Sequence, residues 1–238
     1  MIKKIFFSIF LIPLFATITL KDKLKHLEKG DYIVAKKNKT CYLFVVSEIK
    51  EDFLSFLEFS IFENTISKLY PKEKNWKKWA ESGAKGHFSK IIYELDLKEN
   101  KLINAYSFTK RTYLKFSDQN FYFQKLLNLK LNSAEPLKIG SPPLSEDDLD
   151  TRESWYPSLI IDGKKEAFNF KTPHFEVFET KWPKDSSPLS SKILQIYFSQ
   201  KNNFNFPYWI QITTGHIDVV LQAIDSGKKL NLSRKTPP

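Results

Sequence analysis

Apolar and polar side chains alternate most regularly over the last third of the chain. Across residues 192–198, Leu194, Ile196 and Phe198 fall on one face and Ile193 and Tyr197 on the other, because successive strand residues point to opposite sides. A strand apolar on both sides is usually covered on both sides. The polar run 200–203 turns the chain into a second strand, 208–213, entered through Pro207, which donates no ladder bond and suits a strand start. Thr214-Gly215 reverses it into a third, 217–224, with Ile217, Val219, Leu221 and Ala223 on one face, and Ser226-Gly227 ends it. Links this short make the three strands antiparallel.

The same pattern predicts strands at 32–35, 41–49 and 53–62, turning at Lys37-Asn38-Lys39 and Glu51-Asp52. Residues 91–97 and 102–108 form a hairpin. Asp162-Gly163 is a strong turn signal between strands at 159–161 and 167–170, and 175–182 reads as a further strand. Helical spacing is sparse. Leu20, Leu24 and Leu27 give a short amphipathic helix over 21–29, stopped by Gly30, whose lysine-rich polar face lies outward as it caps a sheet. Pro71 opens a helix over 72–82 with Trp76, Trp79 and Ala80 on its core face. A short helix centres on 123–127. Residues 133–157 carry no period; they hold Pro136, Gly140, Pro142 and Pro143, the acidic run 146–150, and Ser145 with Asp148 in a capping arrangement. Strands continue on both sides, so this is a long crossover within one domain. The expected fold is mainly β: an antiparallel sheet curved into an open or half barrel with a few short helices, one domain over 21–232 and a frayed tail over 233–238.

Composition adds weight to β structure. Aromatic residues make up 15% of the 238 positions, with 21 Phe, and large aromatics favour strands and cores. The formal charge is +10, but only three of the 37 basic residues are Arg. Phosphate and base recognition favours the planar guanidinium fork, and these lysines are interspersed with acids, so a solvated surface is expected rather than a nucleic-acid site, with contact to anionic lipid headgroups as the other reading. The first twenty residues read as an export signal: Lys3 and Lys4, then an uncharged, mostly apolar run from Ile5 to Leu20. As a helix that run spans roughly 24 Å, short of the roughly 30 Å hydrocarbon core. Cleavage after Ala16 or Thr19, or retention as an anchor, fits the pattern. The destination is then the periplasm or cell envelope, with secretion towards a host as the alternative.

Catalytic and metal chemistry finds no motif. Cys41, the one cysteine, lies in an apolar run and reads as a buried, inert thiol. His26, His87, His174 and His216 are not at metal-ligand spacing, and no cofactor fingerprint appears. His87 lies near Ser89, and His216 near Asp218, but no triad-like third group is signalled. Aromatics flanking the predicted strands, Trp155, Trp182, Phe206, Tyr208 and Trp209, are the candidate lining of an apolar cavity; the competing reading is an aromatic core.

Two resemblances follow. Behind an export signal, a helix and then a long antiparallel strand series broken by short helices resembles the periplasmic lipoprotein-carrier fold (LolA/LolB-like), over roughly residues 21–230. That likeness implies an unclosed barrel with a helical lid around a cavity for acyl chains. The strings WPKDSSPLSSKILQIYF, FPYWIQI and IDSGKKL are similar to uncharacterised exported proteins of chlamydia-like intracellular bacteria, a likeness that implies no activity. The expectation is an exported, non-catalytic protein binding a lipid or lipoprotein acyl chain. A protein-interaction or structural module, and a hydrolase with an unrecognised site, are the alternatives.

Overall fold

The computed structural model describes residues 18–70, 75–115, 122–143, 145, 149–167, 174–201, 205–213 and 218–232. The chain enters with β1 (Ile18–Thr19) and the short helix α1 (Leu20–Leu24). Three strands follow, β2 (Tyr32–Lys37), β3 (Thr40–Lys50) and β4 (Phe53–Phe62), then helices α2 (Glu63–Leu69) and α3 (Trp76–Glu81), then β5 (Ser89–Asp96), β6 (Lys101–Ser107) and β7 (Thr112–Tyr113). Helix α4 (Tyr122–Leu127) leads into β8 (Lys130–Ser133) and a small hairpin, β9 (Ile160–Ile161) and β10 (Lys164–Lys165). The chain closes with β11 (Phe175–Lys181), β12 (Ile193–Ser199), β13 (Pro207–Thr213) and β14 (Val219–Gly227).

Among the described residues, one antiparallel sheet runs β1-β8-β11-β12-β13-β14-β2-β3-β4-β5-β6-β7. The C-terminal meander joins the N-terminal one where β14 pairs with β2, from Gln222↔Lys36 to Gly227↔Tyr32. Short strands stand at both edges, so the sheet is not closed into a barrel. Register slips at Val46/Glu48, Glu94/Leu95, Tyr197/Phe198 and Ala223/Asp225 bend and twist it, as bulges do.

Alternation explains why both faces of β2–β5 are covered. Cys41, Leu43 and Val45 of β3 and Leu57, Phe59 and Ile61 of β4 lie on one face, with Tyr32 and Val34, and pack against Ile66 of α2 and Trp76, Trp79 and Ala80 of α3. Ile33, Val46, Leu54 and Phe56 point the other way, into a core shared with Leu20, Leu24 and Leu27, Leu127 of α4 and the inner residues of β11–β13. Trp76 and Trp79 meet edge to face at 5.8 Å, as core residues.

Several elements differ from their sequence-based bounds. Helix α1 is a short piece over Leu20–Leu24, held by a capping box: the Thr19 hydroxyl accepts the Asp22 N–H, and the Asp22 carboxylate accepts the Thr19 N–H at 2.8 Å. Gly30 is not its stop. It sits at φ +87 where three segments meet, its N–H on the Val46 carbonyl and its carbonyl on the Leu230 N–H, and a Cβ there would lie 3.0 Å from the Leu230 oxygen. The folded part also takes in three residues assigned to the export signal: Ile18 and Thr19 pair with Leu131 and Lys130, and Leu20 is 2% exposed. The rest of that signal, the turn at Thr214-Gly215, His216, residues 168–170, Asp148 of the capping pair and the tail 233–238 lie outside the described residues. No helix among the described residues is long and apolar enough to cross a membrane.

Candidate functional site

The long connection between β8 and β9 is an arm laid across the outer face of β11–β13. It folds on itself, with the Trp155 N–H donating to Leu137 C=O and the Ile139 N–H to Glu153 C=O. Two sheet side chains hold it: the Tyr197 hydroxyl accepts the Leu137 N–H at 2.8 Å, and the Gln195 amide donates to Glu135 C=O at 2.8 Å. Both lie on the face that alternation turns away from Leu194 and Ile196. The arm thereby sets Trp155 against Trp209, ring centroids 4.6 Å apart, and against Tyr197 at 5.8 Å. Tyr156 stacks on Phe175 with planes 15° apart. Between arm and sheet a groove of about 210 Å³ opens, walled by Ile139, Trp155, Tyr156, Leu159 and Phe175. Lys165, Glu166 and His174 stand on its polar side. Glu166 is paired with Lys201, and Lys165 is exposed.

The five aromatic positions singled out in the sequence do not converge on one cavity. Trp155 lines the groove, and Trp209 lies behind it, partly buried, its indole N–H without a hydrogen-bond partner among the described residues. Tyr208 is fully buried and its hydroxyl accepts the Ile160 N–H at 2.6 Å and donates to the Ile160 C=O; burial pushes that phenol up to about 12. Phe206 packs in the core at 5.4 Å from Phe56. Trp182 is 2% exposed, its indole N–H donating to Asp185 at 3.0 Å. Lys125, Ser187 and Trp182 all donate to Asp185, which holds its carboxyl well below the usual range. That knot ties the turn after β11 to α4. Sequence reasoning missed Ile139, Tyr156, Leu159 and Phe175 as groove residues. Only Tyr156, beside Trp155, carried a local signal.

A second polar cluster sits under the hairpin of β9 and β10. Its turn has Asp162 at φ 48 and Gly163 at φ 77, both in the left-handed region that a tight I′ hairpin needs. Asp225, 1% exposed, accepts the N–H of Gly163 at 2.9 Å and of Ser226 at 2.9 Å. Tyr32 donates its hydroxyl to Asp162 at 3.0 Å. Burial first, and the neighbouring Asp162 charge among the smaller contributions, raise Asp225 to about 6 against two lowering backbone hydrogen bonds. Gly227 is required here: a Cβ would stand 2.5 Å from the Asp162 Oδ1 and 2.6 Å from the Tyr32 ring.

Among the described residues, no group of three or more His, Cys, Asp or Glu side chains could hold a metal ion. His87 contacts Ala84 C=O at 2.8 Å through Nδ1, and its ring meets Phe59 edge-on. His174 stands in the groove near Glu166, with its Nε2 3.2 Å from Ala167 C=O.

Comparison with known proteins places this architecture. The 2.0 Å structure of the hypothetical protein CT021 from Chlamydia trachomatis is similar, with a TM-score of 0.67, over 94% of this chain and 98% of that chain. Identity is 21%, so the likeness is one of fold. No curated protein matches. The model of the CT021 protein family matches residues 42–167, just over half the chain and outside the C-terminal strings that carried the chlamydial resemblance. This chain therefore belongs to the CT021 protein family.

Proposed function

We propose that this protein is exported and non-catalytic, and that it binds the acyl chain of a lipid or lipoprotein in the groove between the arm and the sheet. The observation that carries the reading is the groove's wall: Ile139, Trp155, Tyr156, Leu159 and Phe175 around about 210 Å³. Ligand sites are concave, largely apolar and orient their ligand with few polar groups. Exposed Lys165 at the mouth supplies a cation for an anionic headgroup. The carrier role implied by the LolA/LolB-like resemblance is kept here, with the ligand moved from the sheet's interior to its outer face. Export rests on the charged start and apolar run of the first twenty residues. Of the two cleavage points, the one after Ala16 keeps Ile18 and Thr19. Cleavage after Thr19 would remove β1 and the residue that caps α1.

Titration with dodecanoate, followed by tryptophan fluorescence, tests this. Trp155→Ala is expected to weaken binding by about tenfold or more, the scale of losing a central aromatic anchor. Trp182→Phe, in the core away from the groove, should leave affinity within about twofold. Equal affinity of Trp155→Ala and the parent protein would remove the groove from consideration.

A protein-interaction module has its own supporting observation. Phe62 and Phe88 stack at 4.6 Å while 51% and 44% exposed, with Leu69 39% exposed on the adjoining α2. Exposed apolar clusters mark contact surfaces more often than chance.

A further inference from the structure

The hairpin 160–165 occupies a seam in the sheet. β13 and β14 pair only from Ile212↔Val219 to Trp209↔Gln222. Beyond that point β14 runs on to Gly227 beside β2, and its other edge meets the hairpin instead of a strand. One backbone bond closes the contact, Asp162 N–H to Ser226 C=O at 2.8 Å. Side chains do the rest: the Ser226 hydroxyl donates to Ile160 C=O at 2.8 Å, Tyr208 bonds both backbone groups of Ile160, and Asp225 accepts the turn's Gly163 N–H. The base of the hairpin is also a wall of the groove, where Leu159, Lys165 and Glu166 stand.

The charges around Asp225 are unevenly balanced. Tyr32 faces it from β2, Asp162 from the hairpin and Tyr208 from β13. The cleft outside it adds Lys36, Glu63 and Lys164. Lys36 is held by Glu63 at 2.7 Å, Lys164 is exposed, and Lys228 lies 3.6 Å from Glu28. Lys77 of α3 donates to Lys228 C=O. Among the described residues no cation forms an ion pair with Asp162 or Asp225. The one Tyr32 O–H satisfies a single carboxylate oxygen at a time. Two adjacent carboxylates, one of them buried, resist simultaneous ionisation.

We propose that the hairpin 160–165 is a proton-controlled plug, seated in the seam between β13 and β14 while Asp225 is protonated and loosened when Asp225 ionises beside Asp162. Asp225 is raised to about 6 in the folded chain. A carboxyl raised in this way contributes stability that is full below its unfolded value near 4 and is lost as pH rises through about 6. The plug is therefore firm in acid and loose at neutral to alkaline pH. Because its base walls the groove, loosening changes ligand access; that consequence, unlike the plug, rests on the ligand reading above.

A nitroxide at Lys164→Cys reports the hairpin directly, since Cys41 is fully buried and does not compete for label. The spectrum should pass from immobile at pH 5 to mobile at pH 8, with a midpoint near pH 6. Asp225→Asn keeps the acceptor for Gly163 and Ser226 and removes the charge, so the label should stay immobile throughout. Asp162→Asn preserves a good I′ sequence and an acceptor for the Tyr32 hydroxyl while removing the neighbouring charge. Because burial is the larger cause of the Asp225 shift, the midpoint should move to lower pH without disappearing, which serves as the test if Asp225→Asn fails to fold. No mobility change between pH 5 and 8, or an unchanged transition in the Asn variants, would overturn the plug. Binding of anilinonaphthalene sulfonate, whose charge is constant over this range, is measured on the same samples. Affinity shifting at least about threefold along the label's transition supports control of the groove. Affinity that is flat, or absent, while the label still responds overturns that control and leaves the plug standing.

Discussion

Replacing Trp79 with alanine will destabilise the protein by about 3–5 kcal/mol, the range for deleting a buried large aromatic. Trp79 is 0% exposed. It meets Phe59 at 6.1 Å and Trp76 at 5.8 Å, both edge to face, and its indole N–H donates to Lys85 C=O at 2.9 Å. The substitution removes the ring from both neighbours and leaves that carbonyl without its donor. Typical domains hold only 5–15 kcal/mol in total, and for a chain of this size each kcal/mol moves the midpoint by about 2–4 °C. Calorimetry should therefore show a fall of roughly 6–20 °C, with Trp79→Phe recovering part of it. A loss below about 1 kcal/mol would mean that α3 rests on the sheet as an ornament rather than as half of a core.

Gly227→Ala is the second large effect, and its cause is different. No left-handed backbone is involved; the problem is space. The added methyl would lie 2.5 Å from the Asp162 carboxylate and 2.6 Å from the Tyr32 ring. Tyr32 is 0% exposed and paired with Gly227 across β2 and β14, so the ring has nowhere to retreat and the hairpin turn must move instead. Overpacking of this kind costs about 1–3 kcal/mol. A loss of unfolding free energy of that size in urea titrations, with amide shift changes concentrated at residues 160–165, is the expected result. Changes spread evenly over the sheet would contradict a local clash.

Strands were the legible part of this sequence, because burial on both faces leaves long apolar runs and clean reversals. β4 and β12 fall within a residue of where alternation puts them. Helix α2 was not legible: over Glu63–Leu69 only Ile66 is buried, so no helical period shows. The hairpin at Asp162-Gly163 was marked by its turn, but its return strand is Lys164–Lys165, directly after the turn and without an apolar residue. Asp225 was hidden by geometry. The slip between Ala223 and Asp225 breaks the two-residue period, so Asp225 joins Gly227 and Tyr32 on one face, and β14 runs on through Gly227, where Ser226-Gly227 was expected to end a strand over 217–224. The groove was half visible. Trp155 stood out by composition, whereas Phe175 and Ile139 meet it only because residues 135–139 lie over Gln195 and Tyr197 and pair back with residues 153–155. Such long-range contacts leave no local periodicity.

Native mass spectrometry of the full chain, purified from a bacterial host without detergent, tests acyl-chain binding most directly. The account predicts adducts with the masses of fatty acids or phospholipids, diminished in Trp155→Ala and restored in the parent by added dodecanoate. A bare protein mass that takes up no dodecanoate would contradict it, and would turn attention to the stacked pair Phe62 and Phe88 as a surface for another protein.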